Sequence, residues 1–136
     1  EIGEGIVRNR THVAMDGMGV FAFTMSKVPK CIKNLLENFC IDVDEVDYLL
    51  LHQANQYIDE KIRKKMRFSK DKTPYCLEKF GNTSSGTIPM TMVTKISEQL
   101  RGGKNKLVMS GFGAGLSWAA VYVETEFIEV LPLIEI

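Results

Sequence analysis

With 136 residues, 45% of them apolar, the chain has room for one domain with a real core. Lysine plus arginine and aspartate plus glutamate both number 17, so no overall field favours nucleic acid or an anionic membrane surface. Cys31, Cys40 and Cys76 form neither a CxxC pair nor an even set, which speaks against a disulfide framework or closed zinc site and for a reducing, cytoplasmic setting. No apolar run approaches the roughly 18 residues of a membrane span. The acidic start, Glu1 to Glu4, lacks the basic region of a signal peptide and reads as the continuation of a longer chain.

From residue 18 to 39, Phe21, Met25, Val28, Ile32, Leu35 and Phe39 alternate at spacings of four and three, the stripe of an amphipathic helix. Asp16 and Gly17 can cap its start, and Pro29 inside the pattern predicts a kink or interruption. Val46 to Leu51 is nearly continuous apolar sequence, which predicts a strand covered on both faces and puts His52 at its carboxyl end. From about Asn55 to Arg67, Ile58, Ile62 and Met66 recur every four positions. Lys61, Arg63, Lys64, Lys65 and Arg67 lie between them, predicting a helix buried on one side and basic elsewhere.

Ser69 to Phe80, with Pro74 inside it, reads as a loop leading into Gly81-Asn82-Thr83-Ser84-Ser85-Gly86. Ile88, Met92, Ile96 and Leu100 then predict a helix of about four turns, with Pro89 in its first turn and Gly102-Gly103 at its end. Lys106 to Ser110 and Trp118 to Val123 read as antiparallel strands joined by residues 111 to 117. The order of elements gives an α/β layered domain. The apolar and acidic tail from Thr125 has no assigned role.

His52, Asn82 and the glycine-rich residues 111 to 115 fall at strand ends or in loops beside helix starts, the edge where ligands collect in layered α/β folds. A donor imidazole, a donor amide and a turn with free backbone N–H groups are what a developing oxyanion needs, which points to carbonyl or enolate chemistry. Singly each feature is weak, because a histidine at a strand end or a Gly-Asn turn is as readily structural. Gly81 and Gly86 have the spacing of a phosphate-binding loop, but Thr87 stands where its lysine is required. Ser84 and Ser85 sit in no GxSxG elbow. Residues 111 to 115 misplace the third glycine of a dinucleotide fingerprint and precede a strand. His12 has no motif around it and reads as structural.

Leu51-His52-Gln53-Ala54-Asn55, Gly81-Asn82-Thr83-Ser84 and Gly111-Phe112-Gly113-Ala114-Gly115-Leu116-Ser117-Trp118, in this order and spacing, resemble the C-terminal half of β-ketoacyl-acyl carrier protein synthase III. The resemblance runs from about Met15 to Glu124. It implies a layered thiolase-like C-terminal domain, with a mixed sheet flanked by helices, from an enzyme that condenses an acyl thioester with a malonyl thioester as carbon dioxide leaves. It also implies that His52 and Asn82 bind the malonyl thioester carbonyl and stabilise the enolate, with His52 neutral and a second group fixing its tautomer. Asn55, Phe112, Gly113 and Ala114 would contact substrate, and the Ala114 N–H or a neighbour's would hold the acyl oxygen.

Lys64 and Lys65 match basic positions that face an acidic carrier protein, although Tyr57 and Ala22 stand where further basic residues are usual. The resemblance implies no metal or resident cofactor. Its substrates would be coenzyme A and acyl carrier protein thioesters, and its complete form a cytoplasmic homodimer. The acylated cysteine would come from the other half, because none of the three here sits in a setting that lowers a thiol pKa. Two other readings are a type III polyketide synthase and a non-catalytic subunit that binds a carrier protein.

Overall fold

A computed structural model describes residues 15 to 134. Helix α1 (Gly17–Asn38) is followed by a 3-10 turn (Val43–Glu45), strand β1 (Tyr48–Leu51) and helix α2 (Gln56–Lys65). A short helix α3 (Leu77–Phe80) and a second 3-10 turn (Ser84–Gly86) lead to α4 (Thr87–Lys95), α5 (Ser97–Gly102) and the hairpin of β2 (Lys104–Gly113) and β3 (Ser117–Glu126). The sheet order is β1-β2-β3. β1 runs parallel to β2, from Tyr48 opposite Leu107 to Leu51 opposite Ser110, and β3 runs antiparallel to β2. His12 lies outside the described residues, and among those described no helix is long and apolar enough to cross a membrane.

The alternation of side chains along a strand assigns the two faces of the sheet. Leu49 and Leu51 of β1, with Val108 and Phe112 of β2, pack against Val28, Ile32 and Leu36 of α1 and Ile58 and Ile62 of α2. Leu50 and Leu107 point the other way, onto Ile96 and Leu100, and Ile128 and Val130 of the tail join them. The tail is also tied down by the Ile128 N–H on the Leu100 carbonyl. At roughly 1.5–3 kcal/mol for each large aliphatic side chain removed from water, these two clusters hold the layers together.

Asp16 caps α1, its carboxylate accepting the Gly19 N–H at 2.9 Å. The expected interruption at Pro29 does not occur, and the helix runs unbroken through it. Proline offers no N–H to the carbonyl four residues back, which leaves Met25 without its helical donor. The Lys65 ammonium donates to that carbonyl at 2.9 Å, so a side chain from α2 replaces the missing bond.

Several boundaries differ from the sequence expectations. Part of the loop before Gly81 is helical (α3), with Gly81 at φ 64 turning the chain out of it. The single four-turn helix is two, because Ile96 leaves helical geometry at φ −132 and ψ 17 and Ser97 starts α5. Thr87, Ile88, Thr91, Val93, Thr94 and Ile96 are all β-branched, which lowers helix propensity over this stretch and makes the break inexpensive. β2 and β3 extend past their expected ends, so Gly111, Phe112 and Gly113 are strand residues and the turn contains only 114 to 116. Arg63 is not on the solvated basic face: it is 8% exposed, bidentate to Glu60, and donates to the Phe68 carbonyl at 2.6 Å.

Candidate active site

A cleft of about 1070 Å³ opens where four pieces of backbone meet. They are the start of α1 at Met15 and Asp16, the end of β1 at His52 and Ala54, the segment from Asn82 to Ile88, and the hairpin from Gly111 to Leu116. Parallel pairing of β1 with β2 brings His52 beside the hairpin: its N–H continues the ladder onto the Ser110 carbonyl at 2.8 Å. The ring meets Phe112 edge-on, with centroids 5.2 Å apart and planes at 81°.

His52 is half-buried, and desolvation holds its pKa below the ordinary value while the Ser84 carbonyl beside it pulls the other way. The imidazole is therefore neutral at pH 7, with one donor and one acceptor nitrogen. Nδ1 lies 3.0 Å from the Thr87 hydroxyl, so Nε2 is the nitrogen left for a ligand.

Asn82 sits just beyond the Gly81 turn, and its side-chain oxygen accepts the Ser84 N–H at 2.8 Å. That bond decides the orientation of the amide: with the oxygen engaged, the NH₂ is left as donor. The same bond supports Ser84 in a left-handed conformation at φ 54, which a side chain seldom adopts unaided. Gly115, at φ 139, turns the hairpin where a Cβ would meet the Ser117 hydroxyl oxygen 2.5 Å away.

Of the residues singled out in the sequence, His52, Asn82, Phe112, Gly113 and Ala114 line one cleft. Asn55 is placed differently. It is the N-cap of α2, its side-chain oxygen accepting the Ile58 N–H at 2.9 Å, and it does not line the cleft. Asparagine is a preferred N-cap, and capping α2 engages the Asn55 side-chain oxygen. Lys64 and Lys65 are exposed on the last turn of α2, away from the cleft, and the ammonium of Lys65 is engaged on Met25. Cys31, Cys40 and Cys76 are free thiols, and none lines the cleft.

Gln53 is the residue that sequence reasoning passed over. Fully buried next to His52, it accepts the Cys76 N–H at 2.9 Å and donates to the Thr91 hydroxyl at 2.7 Å. Thr91 in turn donates to the Thr87 carbonyl at 2.8 Å. Two threonines one turn apart on α4 thus hold two consecutive residues at the end of β1. The available signal was a polar side chain directly after an apolar strand, which has to find partners when buried.

The arrangement brings a neutral imidazole and an amide donor to an open cleft, a constellation that can stabilise negative charge on a carbonyl-derived oxygen when the imidazole presents its N–H there. Residues 36–125 match the family model described as 3-oxoacyl-[acyl-carrier-protein (ACP)] synthase III C terminal. The β-ketoacyl-[acyl-carrier-protein] synthase III of Streptococcus gordonii is 40% identical over 114 residues, covering 82% of this chain and 35% of the relative. That of Oceanobacillus iheyensis is 39% identical over 110 residues, covering 81% and 35%. Among solved structures, a 3-oxoacyl-(acyl-carrier protein) synthase from Burkholderia xenovorans superposes with a TM-score of 0.83 at 32% identity, covering 87% of this chain and 34% of that one. The chain spans about a third of the length of the curated relatives it matches. With a family model matched over residues 36–125, relatives 39–40% identical over most of the chain and the same thiolase-like α/β layers, the chain belongs to the 3-oxoacyl-[acyl-carrier-protein] synthase III C-terminal family.

Proposed function

We propose that this domain is the enolate-stabilising part of a decarboxylative condensing enzyme of fatty acid synthesis. One observation carries the reading: His52 and Asn82, on separate elements, line the same cleft, Asn82 with its NH₂ left as donor once its oxygen is engaged and His52 with Nε2 outside the contact that Nδ1 makes with Thr87. When carbon dioxide leaves a malonyl thioester, charge moves onto the thioester oxygen. Two preorganised neutral donors stabilise that oxygen without reorganising. Phe112 and the backbone of Gly113 and Ala114 border the acyl group. No metal or resident cofactor is needed, because the chemistry is carried by the coenzyme A and carrier protein thioesters themselves.

The nucleophilic thiol belongs to another part of the complete protein, which on this reading is a cytoplasmic homodimer. Residues 1 to 136 alone, given acyl-coenzyme A and malonyl thioester, are expected to form no β-ketoacyl product, whereas the complete enzyme forms it. Turnover by the 136 residues would show that one of Cys31, Cys40 and Cys76 has been misjudged.

The partner delivering malonyl is an acyl carrier protein, and the exposed basic end of α2 is its docking face. Lys65 is committed to closing the gap under Pro29, so Lys64 carries the docking. Lys64→Glu is expected to raise the apparent KM for carrier-bound malonyl about 3- to 10-fold at low salt, an effect that fades as ionic strength rises, and to leave a small malonyl thioester unaffected. Unchanged kinetics with the carrier-bound substrate would return Lys64 to an ordinary solvated surface.

A further inference from the structure

Thr87 opens α4 and is 1% exposed, yet its hydroxyl reaches the ring of His52. That hydroxyl carries one proton and has two acceptors within range, Nδ1 of His52 at 3.0 Å and the Ser84 carbonyl at 3.1 Å. The choice decides the chemistry of the imidazole. If the hydroxyl points at Nδ1, Nδ1 is the acceptor and the ring proton sits on Nε2. If it points at Ser84, Nδ1 is left as the donor, to the threonine oxygen or to the Ser84 carbonyl beside the ring, and Nε2 presents a lone pair. A carbonyl or enolate oxygen can pair only with the first form.

The Ser84 carbonyl already receives the Thr87 backbone N–H, so it loses little when the hydroxyl turns away from it. Thr87 itself cannot drift, because Thr91 grips its carbonyl and Gln53 grips Thr91. We propose that Thr87 is a positioning residue for His52, whose hydroxyl donates to Nδ1 and so keeps the ring proton on Nε2, the nitrogen offered to the cleft. The role rests on reading the site as an enolate stabiliser, but the tautomer can be observed without any reaction.

The test uses the complete enzyme labelled with nitrogen-15 in its histidine rings, with the His52 signals assigned by their loss in His52→Gln. Wild type is expected to show the shifts of the Nε2–H tautomer. Thr87→Val keeps the shape and removes the hydroxyl. It is expected to move His52 towards Nδ1–H, donating to the Ser84 carbonyl, and to lower kcat for malonyl decarboxylation about 10- to 100-fold with little change in KM. Thr87→Ser restores both. A wild-type ring protonated on Nδ1, or a Thr87→Val enzyme with wild-type shifts and wild-type kcat, would overturn the proposal. Should the valine variant not fold, the wild-type shifts decide alone. Nε2–H shifts in a wild-type enzyme that decarboxylates nothing would leave Thr87 in its role and remove the proposed function instead.

Discussion

Alanine at either His52 or Asn82 in the complete enzyme is expected to slow malonyl decarboxylation by about 10² to 10³-fold while acyl transfer onto the nucleophilic thiol largely survives. The size follows from losing one donor to an oxyanion, typically about 2.7–4 kcal/mol. The selectivity follows from where the donors sit: His52 and Asn82 face the cleft from the end of β1 and the turn before α4, and no cysteine of this domain lines it. On the proposed reading both groups act on one oxygen, so the double variant is expected to be little worse than either single one. Rates come from labelled carbon dioxide release, and acylation from mass spectrometry of the same samples. Acylation lost with decarboxylation intact would reverse the assignment.

Asp59→Asn is expected to stabilise the protein, and by more as pH rises. Asp59 lies on the buried side of α2 with no exposed surface, and among the described residues neither carboxylate oxygen has a hydrogen-bond partner. Burial, with the charge of Glu60 adding to it, pushes its pKa from 3.8 up to about 8. Below pH 4 the group is protonated both folded and unfolded, and its contribution does not change with pH. Between pH 4 and 8 the unfolded chain releases the proton and the native state retains it, so stability falls by about 1.4 kcal/mol per pH unit, on the order of 4 kcal/mol by pH 7. Above pH 8 the cost levels off. Asparagine resembles the neutral acid and does not titrate, so the gap in melting temperature between variant and wild type should open from pH 4 and level off near pH 8. A gap independent of pH would mean that Asp59 is ionised in the fold.

The helices and strands were legible where one periodic stripe fixed them: Val28 and Ile32 on α1, Ile58 and Ile62 on α2, and the apolar run of β1 all lie in the core. What the chain pattern hid was long-range compensation. Pro29 breaks a local rule, and its remedy, Lys65, stands 36 positions further on, so neither the unbroken helix nor the occupied ammonium could be foreseen. The ends of α1 and α2 carry no glycine, yet Cys40 at φ 54 and Arg67 at φ 63 close the Schellman turns that glycine usually closes.

At the site, motif order singled out His52, Asn82 and the hairpin, and the structure brings all three to one cleft. Asn55 caps α2 and lies outside the lining of the cleft, a placement that its position beside His52 in the sequence did not show. Thr87, needed to fix the tautomer, was seen only as a departure from a phosphate-binding motif, since nothing in a sequence shows which hydroxyl lies 3.0 Å from which ring.

A crystal structure of the complete enzyme with a non-hydrolysable malonyl thioester analogue tests the central claim most directly. The thioester oxygen is expected about 2.7–3.1 Å from both Nε2 of His52 and the side-chain nitrogen of Asn82. A thioester oxygen bound away from both groups, with the analogue ordered in the cleft, would contradict the assignment of this domain to enolate stabilisation.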